Sequence, residues 1–315
     1  MLRQVGKRLI QLPLVLLVVT FFAFSLINLL PGDPVTTIVP FGTDEQRAQL
    51  REDLGLDEPI LSRYVDWLGG IATGDLGEYY NSHRPVSEVL TAALPVSINL
   101  MVYSQLLALA FAIPLGILTA YRAGTPFDKG TNAAAFGLLA IPNFVLGLLL
   151  IFFLSVKAGW FPNTGYRPLN EDPVEHVKHM FLPALSLAVG QIAIYMRLLR
   201  SDMIATLQED FITMAKAKGL PPRKVLLRHA LRPSSLTLLT VAGLNVGQLI
   251  GGAVVIEALF QLPGIGLSIV QAIGAREYVA VQSFVALIGV AYVVVNFAVD
   301  LLYAVLDPRI RHAAA

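Results

Sequence analysis

Two acidic residues and a pair of histidines are the first residues to consider for chemistry, since the sequence has no cysteine. Glu257 and Asp300 lie within long apolar runs, where an ionisable group usually marks a functional site. We expect them at opposite membrane depths, so they do not form a catalytic pair. Each is a candidate gate or path residue, and a structural bond between helices is the alternative. His176 and His179, with Glu175, provide too few ligands to predict a metal site.

The common catalytic and nucleotide-binding motifs are absent from the sequence. There is no HExxH zinc motif, no GxSxG nucleophile motif and no GxxxxGK[ST] phosphate loop. Gly264-Ile265-Gly266 lacks the third glycine and the preceding strand of a dinucleotide-binding fingerprint. We therefore expect a chain that is not an enzyme, that carries no cofactor and that does not bind nucleic acid.

The elements that position these residues are predicted to be membrane helices. Hydrophobic residues make up 55% of the chain and charged residues only 14%, against about 25% charged in a typical soluble domain. About 20 apolar residues cross the hydrocarbon layer as a helix. Six runs meet that length: 9–30, 94–121, 132–156, 181–200, 235–260 and 280–305. The predicted fold class is therefore all-α, with six transmembrane helices.

The distribution of basic residues predicts that both ends of the chain are cytoplasmic, since positive residues favour that side. Eight of them fall in one segment: Arg197, Arg200, Lys216, Lys218, Arg223, Lys224, Arg228 and Arg232. The segment 31–93, with eleven acids and four arginines, is then a helical extracytoplasmic insertion. It contains a predicted helix at Asp44–Leu54, capped by Thr43. The chain thus divides into a tail with the first span (1–30), the insertion (31–93) and a five-span core (94–315).

The segment between the fourth and fifth spans has the pattern of a docking surface. Glu209 and Asp210 favour the start of a helix, and Lys216 and Lys218 favour its end. Gly219 is suited to cap that end in a left-handed conformation. We expect the stretch 201–219 to be helical, with its functional part at about 209–219.

A second, basic helix is predicted after the proline pair at 221–222, and Pro233 is expected to end it. Within the first helix, Ala215, Ala217 and Gly219 are small enough to allow close approach of another surface. The pattern favours docking on a cytoplasmic protein. The alternative is a positively charged loop that only fixes topology and touches lipid phosphates.

The same segment resembles a known family. Thr213-Met214-Ala215-x-x-x-Gly219 is similar to the EAA motif of ABC importer permeases, with Thr213 and Met214 in place of the usual Glu-Ala. The likeness to peptide-importer permeases extends along the chain. It includes Leu30-Pro31-Gly32-Asp33-Pro34, Trp160-Phe161-Pro162-Asn163-Thr164-Gly165, Arg228-His229-Ala230-Leu231-Arg232-Pro233, Glu257-Ala258-Leu259-Phe260-Gln261-Leu262-Pro263-Gly264 and Leu306-Asp307-Pro308-Arg309. The chain resembles the first permease subunit of dipeptide and oligopeptide importers, and nickel importer permeases are the alternative.

The resemblance implies a complex in the bacterial cytoplasmic membrane, in contact with its lipid. Its other members are a second homologous permease, two cytoplasmic ATPase subunits or domains that bind ATP and Mg, and an extracytoplasmic substrate-binding protein. The residues implied to couple to the ATPase are Glu209, Asp210, Ala215, Ala217, Lys218, Gly219, Leu220, Arg228 and His229. The candidate gate or path residues are Glu257, Asp300, Pro142 and Asn143.

Overall fold

A computed structural model of the chain describes residues 2–25, 34–53 and 55–306. Within these ranges the regular elements are helices, which confirms the all-α prediction, and one isolated antiparallel bridge joins Glu78 to Pro85. The helices are α1 (Leu2–Ser25), α2 (Pro34–Ile38), α3 (Asp44–Asp53), α4 (Ile60–Thr73), α5 (Val86–Tyr121), α6 (Pro126–Leu139), α7 (Asn143–Leu150), α8 (Pro173–Thr206), α9 (Asp210–Ala217), α10 (Pro222–Lys224), α11 (Leu231–Phe260), α12 (Ile265–Gly274) and α13 (Tyr278–Leu306).

Four continuous helical stretches in the described part of the chain are long and apolar enough to cross a membrane. They are Val86–Tyr121, Pro173–Thr206, Pro222–Phe260 and Tyr278–Val299. A fifth candidate is the pair α6 and α7, and the first predicted span is described only as far as Ser25. The count of six spans, the cytoplasmic ends and the three-part division of the chain therefore stay predictions.

The predicted third span, 132–156, is wrong as a single straight helix. The structure has two helices there, α6 and α7, bent by 103° at a short break. Pro142 has no N–H to donate, and it disfavours helical geometry at Ile141 before it, so the helix ends and restarts at this point. Beyond α7 the chain continues as a wider π-helical segment, Ile151–Lys157.

The predicted helix over 201–219 is also wrong as one element, because residues 207–209 separate α8 from α9. The expected end of the next helix at Pro233 is wrong too. A π-helical segment, Val225–Ala230, joins α10 to α11 without a break, so the helix runs through Pro233 to Phe260. Pro233 cannot donate to the carbonyl of His229, and a π-turn just before a proline is a common way to accommodate that loss.

The helices form two compact units, the first made of Met1–Ser97 with Pro263–Phe297 and the second of Ile98–Leu262 with Ala298–Ala315. In the first unit, Thr43 caps α3, as the sequence predicted: its hydroxyl accepts from the Gln46 N–H at 3.2 Å. Gln46 completes a capping box, because its amide oxygen accepts from the Thr43 N–H at 3.0 Å. The apolar core of this unit surrounds Phe284 of α13. This side chain is fully buried, in one cluster with residues of α12 and residues at and before the start of α5.

One buried carboxylate ties the segment before α5 to the turn before α13 within the first unit. Glu277 accepts the backbone N–H groups of Tyr80 and Asn81, at 2.5 and 3.0 Å, and the Asn81 side-chain amide at 2.7 Å. The Ser283 hydroxyl adds a bond to the carbonyl of Leu76 at 2.7 Å. Burial, and then the charge of Glu277, raise the pKa of the Tyr79 phenol.

The second unit is built around α8, which packs against α6, α7 and α11. Gly147 in α7 allows a close approach to α11, because a Cβ there would lie 2.8 Å from a Leu259 methyl group. In the first turn of α6, the buried Asp128 carboxylate accepts from the Arg200 guanidinium of α8 at 2.5 and 2.7 Å. The Arg197 guanidinium lies 4.0 Å over the ring of Phe136. Two cation contacts therefore hold α6 on α8.

Candidate functional site

The helix α9 ends in a Schellman motif, which explains the glycine at position 219. The Gly219 N–H donates to the carbonyl of Lys216 at 2.9 Å, and the Leu220 N–H donates to that of Ala215 at 3.3 Å. Gly219 has a φ of +75°, in the left-handed region that glycine adopts without steric cost. At the other end, Glu209 is the N-cap residue but its side chain makes no capping bond. The backbone thus confirms the prediction that Gly219 ends the helix.

The inner face of α9 places Ala215 in the chain's own core, and its role in ATPase coupling stays a prediction. Ile212 is fully buried and Ala215 is 6% exposed, because both pack into the apolar core of the second unit beside Val225. A helix side chain that fills the chain's own core is not available to a partner. Ala217 and Gly219 are exposed, so only these two of the three small residues lie at the surface.

The outer face of α9 carries large apolar side chains that the sequence reasoning missed. Phe211 is 47% exposed and Met214 is 60% exposed. With the exposed Lys218 they follow the spacing i, i+3, i+7, which places them on one stripe of the helix. Asp210 is exposed beside the stripe. The signal that could have found them was this spacing, whose stripe is rotated by roughly 100° around the helix from that of Ile212 and Ala215.

Exposed basic side chains follow α9 in the chain, and the segment Val225–Ala230 among them packs against α9. Arg223, Lys224 and Arg228 are exposed, Leu227 among them is 57% exposed, and His229 is half-buried. We call Phe211, Met214, Lys218 and this basic stretch, 223–228, the docking face. It combines apolar contact area with positive charge, which suits a protein surface that is apolar with acidic borders.

The docking face is joined directly to the membrane helices. Leu220 is half-buried and lines a cavity of about 350 Å³ with Leu207, Pro222 and Leu226. The hydroxyls of Thr206 and Ser234 lie 3.0 Å apart, which links the end of α8 to the start of α11. A displacement of α9 would therefore reach both long helices through packed contacts.

The candidate gate and path residues differ in burial where their side chains are described. Pro142 and Asn143 are exposed at the break between α6 and α7. Glu257, in α11, is fully buried within the chain. The side chain of Asp300 lies outside the described residues. A gate or path role for these four residues stays a prediction.

His176 has a structural arrangement rather than that of a ligand. It is fully buried, its Nδ1 lies 2.7 Å from the carbonyl of Arg167, and its Nε2 lies 3.1 Å from the hydroxyl of Tyr103. A carbonyl only accepts, so Nδ1 carries the proton and Nε2 accepts from the tyrosine. Within residues 2–25, 34–53 and 55–306, no three His, Asp or Glu side chains cluster as metal ligands.

Known proteins similar to this chain cover its whole length. The family described as binding-protein-dependent transport system inner membrane component matches residues 112–312, and the N-terminal family of such membrane components matches residues 1–101. The oligopeptide transport system permease protein AppB of Bacillus subtilis is 38% identical over 98% of both chains. A putative peptide transport system permease protein of Brucella abortus is 37% identical over 97% of this chain and 98% of its own. The di/tripeptide permease protein DppB of Pseudomonas aeruginosa is 36% identical over 99% of both.

A solved structure supports the same fold. One chain of the MetNI methionine ABC transporter, in an inward-facing conformation, resembles 70% of this chain and 96% of its own, with a TM-score of 0.56 and 17% identity. At that identity the likeness concerns the fold alone. With the match over 112–312 and the full-length relatives, it follows that this chain belongs to the binding-protein-dependent transport system inner membrane components, the multi-pass permeases of ABC transporters in the cytoplasmic membrane.

Proposed function

We propose that the chain is the translocating permease subunit of an ABC importer for dipeptides or oligopeptides. A peptide cargo is supported by relatives at 36–38% identity, matched over nearly their full length, that are named for peptide transport. A nickel cargo is not favoured, because none of these relatives is named for a metal. The importer comprises a second homologous permease and an extracytoplasmic binding protein, and two cytoplasmic ATPases supply ATP hydrolysis with Mg.

The observation that carries the coupling role is the docking face on α9. Phe211 and Met214 expose large apolar surface on a capped helix, in a segment that the sequence predicts to be cytoplasmic and that continues into exposed basic residues. Water gives such side chains no favourable contact, whereas the groove of an ATPase subunit would bury them. The exposed apolar side chains favour docking over a segment that only fixes the membrane topology, because positive charge alone is enough to fix topology.

Coupling then follows from the way α9 is held. Its inner face, through Ile212 and Ala215, packs in the same core as the ends of α8 and α11. An ATP-driven shift of the ATPase moves α9 as a unit, and the core passes that movement to the two long helices. Glu209, Asp210, Ala217 and the basic stretch complete the contact at its edges.

The test replaces both apolar side chains of the docking face, as Phe211→Ala with Met214→Ala. Loss of their burial weakens association with the ATPase by on the order of 3 kcal/mol, roughly a 100-fold increase in the dissociation constant. The measurement is ATPase co-purification and peptide uptake by the complete complex in proteoliposomes. Both are expected to fall, while membrane insertion and binding of the second permease are kept.

The matched control is Thr213→Ala on the same helix. Thr213 is exposed but lies away from the stripe, so its truncation should leave co-purification and uptake near the level of the unmodified chain. Unchanged ATPase binding in the double variant would show that the docking face is not the contact. Failure of the unmodified complex to take up any dipeptide or oligopeptide would refute the cargo.

A further inference from the structure

A pocket of about 250 Å³ lies in the second unit at the break between α6 and α7. Its polar lining consists of four side-chain amides, from Asn143 at the start of α7, Gln191 in α8, and Asn245 and Gln248 in α11. The other lining residues are aliphatic or glycine. Three membrane helices thus converge with neutral hydrogen-bonding groups and no charged side chain.

The placement of these amides is costly unless something binds them. Asn143 and Gln248 are exposed on the surface of the chain, on helices whose other exposed side chains are mostly apolar. An amide that faces acyl chains loses its hydrogen bonds to water and gains none, so such residues face a water-filled path or a protein group instead. The position therefore belongs to a hydrophilic surface within the membrane.

We propose that this pocket binds the main chain of the transported peptide during its passage through the membrane. The inference rests on the proposed peptide cargo. Each side-chain amide both donates and accepts, as does each peptide unit, so the four amides can pair with the N–H and C=O groups that every peptide shares. The absence of charge among the lining residues means that the pocket does not select for or against the charge of the cargo side chains.

A second layer of hydrogen bonds holds the inner amides in place. Gln191 and Asn245 are 9% and 8% exposed, and the Gln191 amide oxygen accepts from the hydroxyl of Tyr195 one turn along α8. That hydroxyl also lies 3.2 Å from the amide oxygen of Gln105, whose nitrogen donates to the carbonyl of Ala242 at 3.3 Å. A phenol has one proton, so it donates to one of these oxygens at a time.

Glycine keeps the pocket open beside Asn143. Gly190 lines it without a side chain, and a Cβ there would lie 3.7 Å from the Asn143 amide oxygen. An extended peptide strand needs this kind of clearance, because its own side chains must pass the amides. The buried amides of Gln191 and Asn245 are therefore held in place, and the exposed amides of Asn143 and Gln248 lie at the opening of the pocket.

The test uses shape-conserving changes at the two exposed amides, Asn143→Leu and Gln248→Met, which remove hydrogen bonding with little change of volume. The complete complex in proteoliposomes is assayed with tri-alanine, lysyl-dialanine and glutamyl-dialanine. Each lost bond slows uptake of all three peptides, and the double variant is expected to be about tenfold slower than the unmodified chain. The matched control, Gln11→Met in α1, makes the same chemical change as Gln248→Met at an exposed residue that does not line the pocket, and it should transport normally.

The outcomes separate this proposal from the cargo itself. Slower uptake of all three peptides, with normal co-purification of the second permease and the ATPases, supports main-chain binding. Loss of the second permease from the purified complex would show that the pocket is a subunit contact and would overturn the proposal. Unchanged uptake in the double variant would overturn it as well. An unmodified complex that transports none of the peptides would instead refute the proposed function.

Discussion

A single methyl group at Gly219 tests whether the capped end of α9 matters for coupling. In Gly219→Ala the new Cβ has space, since no atom lies within 4 Å of its position. The cost comes from the backbone alone, because a φ of +75° places an L-residue in the left-handed region at about 1–2 kcal/mol. The Schellman bonds of Gly219 and Leu220 would then open about 5- to 30-fold more often.

Hydrogen exchange in lipid nanodiscs measures this directly. The amide of Leu220, which bonds to the carbonyl of Ala215, is expected to exchange about 5- to 30-fold faster in Gly219→Ala. The frayed helix end should lower peptide-stimulated ATP hydrolysis and uptake in the complete complex. Gly219→Asn is the matched control, because asparagine adopts positive φ more readily than alanine, and it should retain most of both activities. Faster exchange with undiminished coupling would refute the idea that the cap positions the docking face.

Two further predictions concern the contacts that hold each unit together. Asp128→Ala should lower the thermal midpoint of the purified complex, because it leaves the Arg200 guanidinium without its carboxylate; the cost is about 3 kcal/mol, the lower end for a buried pair since Arg200 keeps some exposure. Asp128→Asn should cost less, and equal midpoints for all three proteins would contradict this account. Glu277→Ala removes the acceptor of three donors, so the amides of Tyr80 and Asn81 should exchange about tenfold faster or more. Glu277→Gln keeps one acceptor oxygen, which can serve both donors of Asn81, so the Asn81 amide should change less than the Tyr80 amide, which then faces an NH2 group. Unchanged exchange in Glu277→Ala would mean that the segment is held by its apolar contacts alone.

Local signals in the sequence were sufficient for the ends of several helices. Thr43 and Gln46 form a capping box that involves only their own backbone and side chains, so no distant residue could change the outcome. Gly219 is similar, because the left-handed conformation depends on its missing Cβ. The break at Pro142 also had a local signal, but the apolar run around it is long enough to suggest one uninterrupted span.

Structural features that depend on residues distant in the sequence could not be predicted from local patterns. The run through Pro233 requires a π-helical turn, and nothing in the spacing of the residues distinguishes that turn from an end of the helix. The amide pocket combines residues that are far apart in sequence, from Asn143 to Gln248, on three helices. Asn143 and Gln191 lie in separate apolar runs and Asn245 and Gln248 share a third, and only the packing of α8 against α7 and α11 brings the three runs together.

The two faces of α9 show why the type of a residue does not settle its role. Small size made Ala215 a candidate for contact with a partner, yet a small residue also suits a helix that packs closely on its own chain, and the structure has it buried there. Large apolar side chains usually lie in a core, yet Phe211 and Met214 are exposed. A helix of eight residues that buries Ile212 and Ala215 but leaves Phe211 and Met214 exposed gains only part of the burial that its apolar side chains offer. That arrangement is expected where another protein completes the burial, which is why substitutions on the outer face should affect the complex and substitutions on the inner face should affect the chain.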